Sequence, residues 1–268
     1  MKMSRRFVLW LSFTMTLLFI VCGCSPGQVE AAIEPGNEIK FNLKSDMFTE
    51  SRIKEVFSAV KQDEVKIYYF DTLDKVFAKA DYNHRLRVYK GKKKMDVTYK
   101  KMIKDTSIAE AIQIAEQHGF TGKEDNYKFE MDRKGGRSVF TISRKDKLKV
   151  SPNVSYDTFD YADARQILIN NAPDKIAGWE TNDWYQNILS SSIVFGPAEA
   201  ITYEGTYLGY AADIEVWNHA GSLMVEISTK EADAKKADQI EELWLKQLQW
   251  EGYLSPDQRG KTSFVMDK

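Results

Sequence analysis

Arg85 and Arg87 stand two residues apart in His84-Arg85-Leu86-Arg87, inside a run that alternates polar and apolar. In an extended chain, residues i and i+2 project from one face, so both guanidinium forks leave a strand side by side. Each fork can grip two oxygens of one group, which suits a multiply charged oxyanion. The same spacing recurs along the chain. Glu38 and Lys40 share a phase, as do Asp96, Thr98 and Lys100, then Lys128, Glu130 and Asp132, and then Asp213 and Glu215. Glu226 lies in phase with Met224 and Ser228. Alternation alone leaves two arrangements open: a sheet with one solvated face, or a barrel that is polar inside and covered by helices outside.

The elements that must position these residues follow from periodicity. Glu38–Leu43 alternates strictly, with Ile39, Phe41 and Leu43 on the apolar face. Asp46–Val60 carries Ile53, Val56, Phe57 and Val60 at helical spacing. Val65–Asp71 reads as a strand. Asn83–Lys90 and Met95–Lys101 read as a hairpin over the Lys-rich turn around Gly91, and Asn126–Arg133 and Arg137–Arg144 as a second over Lys134-Gly135-Gly136. Thr106–His118 predicts a helix capped by Asp105 or Thr106 and stopped by Gly119. Residues 151–192 look helical and loopy, with Trp179, Trp184 and Tyr185 as packing anchors. Ile193–Phe195, Ala200–Tyr207, Ala211–Trp217 and Ser222–Ser228 predict short strands, and Glu231–Gln249 a closing helix. Antiparallel strands with helices between them give an α+β class. One domain is expected over 37–254, with a helical insertion near 151–192 and a C-terminal tail over 255–268.

The N-terminus reads as an address. Lys2, Arg5 and Arg6 precede the apolar, uncharged stretch Phe7–Val21. That stretch is short of the roughly 20 residues that span a bilayer, and its flanks suit a secretory signal. Val21-Cys22-Gly23-Cys24 looks like a bacterial lipobox, which makes 1–23 a lipoprotein signal peptide and Cys24 the lipidated residue; the alternative is an ordinary signal peptide cut later, near Ala31-Ala32. Residues 24–36 then form the lipidated Cys and a Pro- and Gly-containing tether. The expected location is extracytoplasmic, held to a membrane by acyl chains on Cys24. Both cysteines of the chain lie in this region, so no disulfide framework or Cys-ligated zinc site is available to the body.

The whole chain has 38 basic and 39 acidic residues. Without 1–23, which hold three basic residues and no acidic one, the count is 35 against 39, a net charge of −4. A chain that binds long nucleic acid by charge is usually basic, so nucleic acid is not an expected partner. His84, His118 and His219 show no metal-ligand spacing, and His84 falls in the phase opposite to Arg85 and Arg87. There is no Walker-type loop and no nucleophile elbow.

Three runs in order carry a further signal: Tyr68–Thr72 (YYFDT), His84–Tyr89 (HRLRVY) and Asp96–Lys100 (DVTYK). Their order and spacing resemble the CYTH superfamily, the triphosphate tunnel metalloenzymes, which include adenylate cyclases of one class, thiamine and RNA triphosphatases and tripolyphosphatases. The family opening E-x-E-x-K is similar to Gly36-Asn37-Glu38-Ile39-Lys40, with Gly36 in the first Glu position. Asp213–Trp217 and Gly221–Ile227 look like the family's closing acidic strands.

The resemblance implies an antiparallel closed β-barrel, a tunnel with a polar interior and helices packed outside. It implies a triphosphate, polyphosphate or other phosphorylated small molecule as ligand, bound by Lys40, Arg85, Arg87 and Lys100. It also implies Mg²⁺ or Mn²⁺, since a hard cation can take carboxylate, phosphate and water oxygens together. Glu38, Glu130, Asp132, Glu215 and Glu226 are then the metal candidates, and Glu38 and Glu226 the catalytic, water-activating ones. Two departures stand out: Gly36, and residues 197–201, which carry no Arg or Lys. Two functions follow. One is a metal-dependent triphosphatase or related phosphohydrolase. The other is a non-catalytic envelope lipoprotein that uses a degenerate barrel for ligand binding or as a scaffold.

Overall fold

The computed structural model describes residues 33–267. The expected signal segment, Cys24 and the tether up to residue 32 lie outside the described residues. Nine strands close into a barrel: β1 (Gly36–Leu43), β2 (Val60–Asp71), β3 (Tyr82–Tyr89), β4 (Lys94–Ile103), β5 (Tyr127–Lys134), β6 (Arg137–Lys149), β7 (Ile193–Tyr207), β8 (Tyr210–His219) and β9 (Ser222–Glu231). Around the barrel the order is β1-β5-β6-β4-β3-β2-β7-β8-β9, and β9 returns to β1. All neighbours are antiparallel except β1 and β5, which run parallel. The antiparallel α+β barrel expected from the sequence is therefore present, with one parallel pair.

The apolar phases face outward and are covered by helices. Ile39, Phe41 and Leu43 of β1 pack with Ile240, Trp244 and Leu248 of α7 (Ala234–Trp250). Leu86 and Val88 of β3 and Val97 and Tyr99 of β4 pack under α4 (Tyr161–Asn170), α5 (Asp174–Ala177) and α6 (Asn182–Ser190), where Leu168, Ile176, Tyr185 and Leu189 are fully buried. The region 151–192 thus supplies an outer layer, and Tyr185 is the anchor expected of it. Three helices precede these in the chain: α1 (Glu50–Phe57), α2 (Val76–Lys79) and α3 (Ile108–Gln117).

Several expected boundaries move for local reasons. The helix predicted over 46–60 shrinks to a 3₁₀ turn (Ser45–Met47) and α1, which starts at its Thr49 cap and stops at Ser58 in the left-handed region. Val60 then pairs with Glu204, so the sheet takes the last apolar residue of the helical pattern. Ser107, not Asp105 or Thr106, caps α3. The short strands expected over 193–195 and 200–207 are one strand, β7. It bends at Gly196 (φ +114°), where any side chain would meet Ile67 O at 2.8 Å.

The largest departure is in 255–268. This tail folds back over one barrel end and continues into α8 (Lys261–Met266). Leu254 bridges to Leu43, and Ser255 N donates to Asn42 O at 2.9 Å. The Asn42 side chain donates to Asp257 O at 3.0 Å and to Arg259 O at 2.9 Å, while Gln258 bonds both backbone groups of Asn42 at 2.9 Å. Phe264, Val265 and Met266 are buried against Val65, Ile67 and Tyr69 of β2, Ala198 and Ala200 of β7, Trp217 of β8 and Met224 of β9.

Register identifies the face on which these strand residues lie. Tyr69 is opposite Arg85, Ile67 opposite Arg87, Ala198 opposite Ile67 and Trp217 opposite both Ala200 and Met224. Directly paired residues share a face, so the tail packs on the interior of the barrel. At the opposite mouth Lys230 is half exposed.

Burying an aromatic side chain removes a large apolar area from water, and deleting one leaves a cavity. Phe264→Ala is expected to cost about 3 kcal/mol of unfolding free energy in urea. A loss under about 1 kcal/mol would mean that the tail is not seated.

Candidate anion site inside the barrel

The inward phase of every strand that carried paired charges faces the tunnel, and there the charges meet in two groups. In the first, Lys40 Nζ lies 2.5 Å from Glu38 Oε2 and 2.6 Å from Asp132 Oδ1, while Lys100 Nζ lies 2.8 Å from Asp132 Oδ2. Asp132 on β5 thereby draws together the lysines of β1 and β4. Lys230 Nζ stands 3.7 Å from Glu38 and 3.6 Å from Glu130. In the second group, Lys261 Nζ of α8 lies 2.9 Å from Glu215 Oε2 and 2.6 Å from Glu226 Oε1. Arg87 Nη2 and Trp217 Nε1 also donate to Glu215 Oε2, at 3.3 and 2.7 Å. Lys134 donates to Glu226 Oε2 and, at 2.7 Å, to Asn42 Oδ1.

Arg85 differs from its neighbours. Among the described residues it forms no ion pair, and its Nε is buried without a hydrogen-bond partner. Thr98, its register partner on β4, has a buried and unbonded Oγ1. One row further, Arg87 Nε and Asp96 Oδ1 are also buried and unbonded, although Asp96 Oδ2 holds Lys145 at 2.6 Å and Tyr89 Oη at 2.5 Å. Four unmet polar atoms thus lie on one wall, formed by β3 and β4. Buried polar atoms in native proteins are nearly always satisfied, by protein, water or ligand.

The ionisation states follow from burial and pairing. Burial alone would raise Glu226, which is 3% exposed, but Lys261, Lys134 and Lys40 hold it down to about 2. Burial opposes ionisation of Glu215 and Asp132 as well, yet Lys261 and Arg87 keep the first far below the usual carboxylate range, and Lys100 and Lys40 the second. Burial pushes Lys40 down, but Asp132, Glu38 and Glu226 outweigh it and raise the ammonium well above its ordinary value. Lys134 and Lys261 both pair with Glu226 and move in opposite directions. Burial wins at Lys134, which faces one carboxylate, whereas Glu215 and Glu226 together raise Lys261. His84 points outward, is pushed down to about 3 by burial, and meets Tyr185 Oη at 2.6 Å, so it is neutral and structural.

All the expected interior residues line the tunnel, but they do not form one catalytic set. Glu38, Lys40, Lys100 and Asp132 meet in one group, and Arg87, Glu215 and Glu226 in another. Glu130 reaches only Lys230, and Arg85, whose register partner Tyr69 packs in the cluster of α8, keeps a buried, unbonded Nε. Among the described residues no three acidic, His or Cys side chains converge as a metal site would need. Each carboxylate expected to hold Mg²⁺ or Mn²⁺ already carries an ammonium or guanidinium partner. As arranged, these donors do not fit a divalent cation.

Four lysines that pair with the inward carboxylates were not anticipated. Lys134, Lys145 and Lys230 continue the inward phases of Asp132, Ser143 and Ser228, past the expected strand ends. Lys261 sits in a segment with no periodic signal. A crevice of about 470 Å³ lies between α7 and the β5–β6 turn and includes no residue of the Arg85 wall.

No family profile matches the chain, and neither does any curated protein. Solved structures do. An adenylyl cyclase candidate from Hippeastrum with a dominant triphosphatase activity is 13% identical, at a TM-score of 0.45 over 85% of this chain and 93% of that one. An adenylate cyclase candidate from Bacillus halodurans is 12% identical, at 0.47 over 86% and 97%. A Pyrococcus horikoshii protein is 12% identical, at 0.46 over 86% and 97%. This chain's own strand register defines it as a closed, polar-lined barrel, the architecture that the CYTH resemblance implies.

A carboxylate whose folded value is depressed stabilises the fold above its unfolded value and loses that contribution as pH falls through the folded one. Glu226 therefore contributes fully above about pH 4.5 and loses its contribution as pH falls towards 2. Unfolding free energies measured by urea at stepped pH should fall across that window. Glu226→Gln should be less stable at neutral pH and show a shallower fall; an unchanged slope would contradict the assignment.

Proposed function

We propose that this protein is a membrane-anchored, extracytoplasmic lipoprotein that binds a phosphorylated small molecule or short polyphosphate inside its barrel. The observation that carries the reading is Arg85: a cation on the inner wall with no carboxylate partner among the described residues, beside unsatisfied atoms of Arg87 and Thr98. A phosphate oxygen is the acceptor that Arg85 Nε, Arg87 Nε and the Thr98 hydroxyl all lack. Lys100 and Lys40 extend the cationic surface, and they can exchange part of their contact with Asp132 for phosphate oxygen. Because one barrel end is filled by α8, the anion enters from the mouth near Lys230. Cys24 supplies the anchor, and the ligand is met outside the cytoplasm.

The non-catalytic reading is favoured over hydrolysis by the state of the carboxylates. Glu38 and Glu226, the water-activating candidates, are each bonded to lysine. A general base must reach the water whose proton it takes and must be free to accept it. Gly36 leaves the opening strand without its first carboxylate, and open space surrounds that position.

Isothermal titration with inorganic tripolyphosphate should give saturable binding. A charge-assisted hydrogen bond contributes about 1.5–3 kcal/mol, so Arg85→Ala should weaken binding about tenfold or more. Phosphate release should stay at background with Mg²⁺ or Mn²⁺ present. Absence of binding, or equal affinity in Arg85→Ala, would refute the proposal, and metal-dependent turnover would restore the hydrolase reading.

A further inference from the structure

Among the described residues, Lys261 is a cation of the tunnel that does not come from a barrel strand. Lys261 is carried in by α8 and places its ammonium between two carboxylates of adjacent strands, 2.9 Å from Glu215 and 2.6 Å from Glu226. The two acids lie directly opposite each other in the β8–β9 register, so they share a face and would repel if left alone. Among the described residues Lys261 is the charge partner of Glu226 Oε1, as Lys134 is of Oε2.

We infer that Lys261 is a resident replacement for a divalent cation: an ammonium held by the C-terminal helix neutralises Glu215 and Glu226, so that anion binding in this barrel needs no metal. The inference deepens the anion-binding reading and rests on it.

Three features support it. First, the ammonium sits where a hard cation bridging both acids would have to sit, and the two cannot coexist in one space. Second, the ammonium is tethered. Phe264, Val265 and Met266 bury their side chains beyond it, Asn83 donates to Thr262, and Lys75 pairs with Asp267 at 2.7 Å, so a free ion competes against a partner of high effective concentration. Third, the wall that receives the helix is made for it. Ala198 and Ala200 face inward opposite Ile67 and Val65, and long basic side chains there would occupy the volume of α8. The absence of Arg and Lys over 197–201 and the presence of Lys261 are then one arrangement: the cation missing from the wall arrives on the tail.

The test uses the full chain and two probes. Free Mn²⁺ is followed by electron paramagnetic resonance. The wild-type chain should leave the Mn²⁺ signal unchanged, Lys261→Met should take up one equivalent between Glu215 and Glu226, and Lys261→Arg should again exclude it. Uptake of an equivalent by the wild-type chain, or none by a Lys261→Met variant that melts cooperatively, would overturn the inference. Should Lys261→Met not fold, Lys261→Gln, which removes the charge and keeps a polar side chain, takes its place: uptake of one equivalent upholds the inference and no uptake overturns it. Inorganic tripolyphosphate is the second probe, titrated in EDTA. Wild-type binding should persist there, and Lys261→Met should bind at least about tenfold more weakly. Binding by the wild-type chain only when Mg²⁺ is added would overturn the inference and leave the anion site intact. No binding under either condition would remove the anion site, with the Mn²⁺ measurement still deciding the role of Lys261.

Discussion

An ionised carboxylate cannot lie inside a β-barrel without a counter-charge, because burying it alone costs several kcal/mol. Glu226 sets this constraint here. It is the most deeply buried of the tunnel's glutamates and is held between Lys134 and Lys261. From it the neutralisation spreads. Lys261 also holds Glu215, which holds Arg87, and Lys40 feels Glu226 while pairing with Glu38 and Asp132. Asp132 in turn fixes Lys100. Strands β1, β3, β4, β5, β8 and β9 are thus cross-linked through one interior by charge, and the C-terminal helix joins them because Lys261 must.

That dependence explains features that look unrelated in the sequence. A barrel wall without basic residues, a tail with an apolar Phe264-Val265-Met266 run, and a lone lysine before it are complementary parts. Alanines make room, the apolar run fills the room, and the lysine meets the acids at the edge of the filled volume. What remains uncompensated is the β3–β4 wall, where Arg85, Arg87, Asp96 and Thr98 keep unmet polar atoms. The unmet donors of that wall are the basis of the proposed anion binding, and the lysine partners of the carboxylates are the reason it is read as non-catalytic.

Much of this was legible in the sequence. Strict alternation in Glu38–Leu43, in Arg85–Arg87 and in Glu130–Asp132 placed the right side chains inward, because a period of two admits only two faces. The order of the YYFDT, HRLRVY and DVTYK runs implied the closed barrel. Three kinds of information were not local. Strand ends depend on pairing with partners far away in the chain, so Lys134, Lys145 and Lys230 were left outside their strands. The Asp46–Val60 pattern was cut short because Val60 found a sheet partner in Glu204. The tail gave no sign at all: α8 is too short for periodicity, and its role exists only once the barrel provides an interior to enter. The pairing of carboxylates with lysines was likewise invisible, and it is what turns expected metal ligands into members of an ion-pair network.

The most direct measurement of the central claim is a double-mutant cycle between Lys261 and Glu226, with unfolding free energies of the wild-type chain, Lys261→Met, Glu226→Gln and the double variant. If the tail lysine is the counter-charge of the buried glutamate, the double variant should cost far less than the sum of the single ones, with a coupling of about 2 kcal/mol or more. Additive costs, within about 0.5 kcal/mol, would mean that the two groups do not interact and would contradict the account.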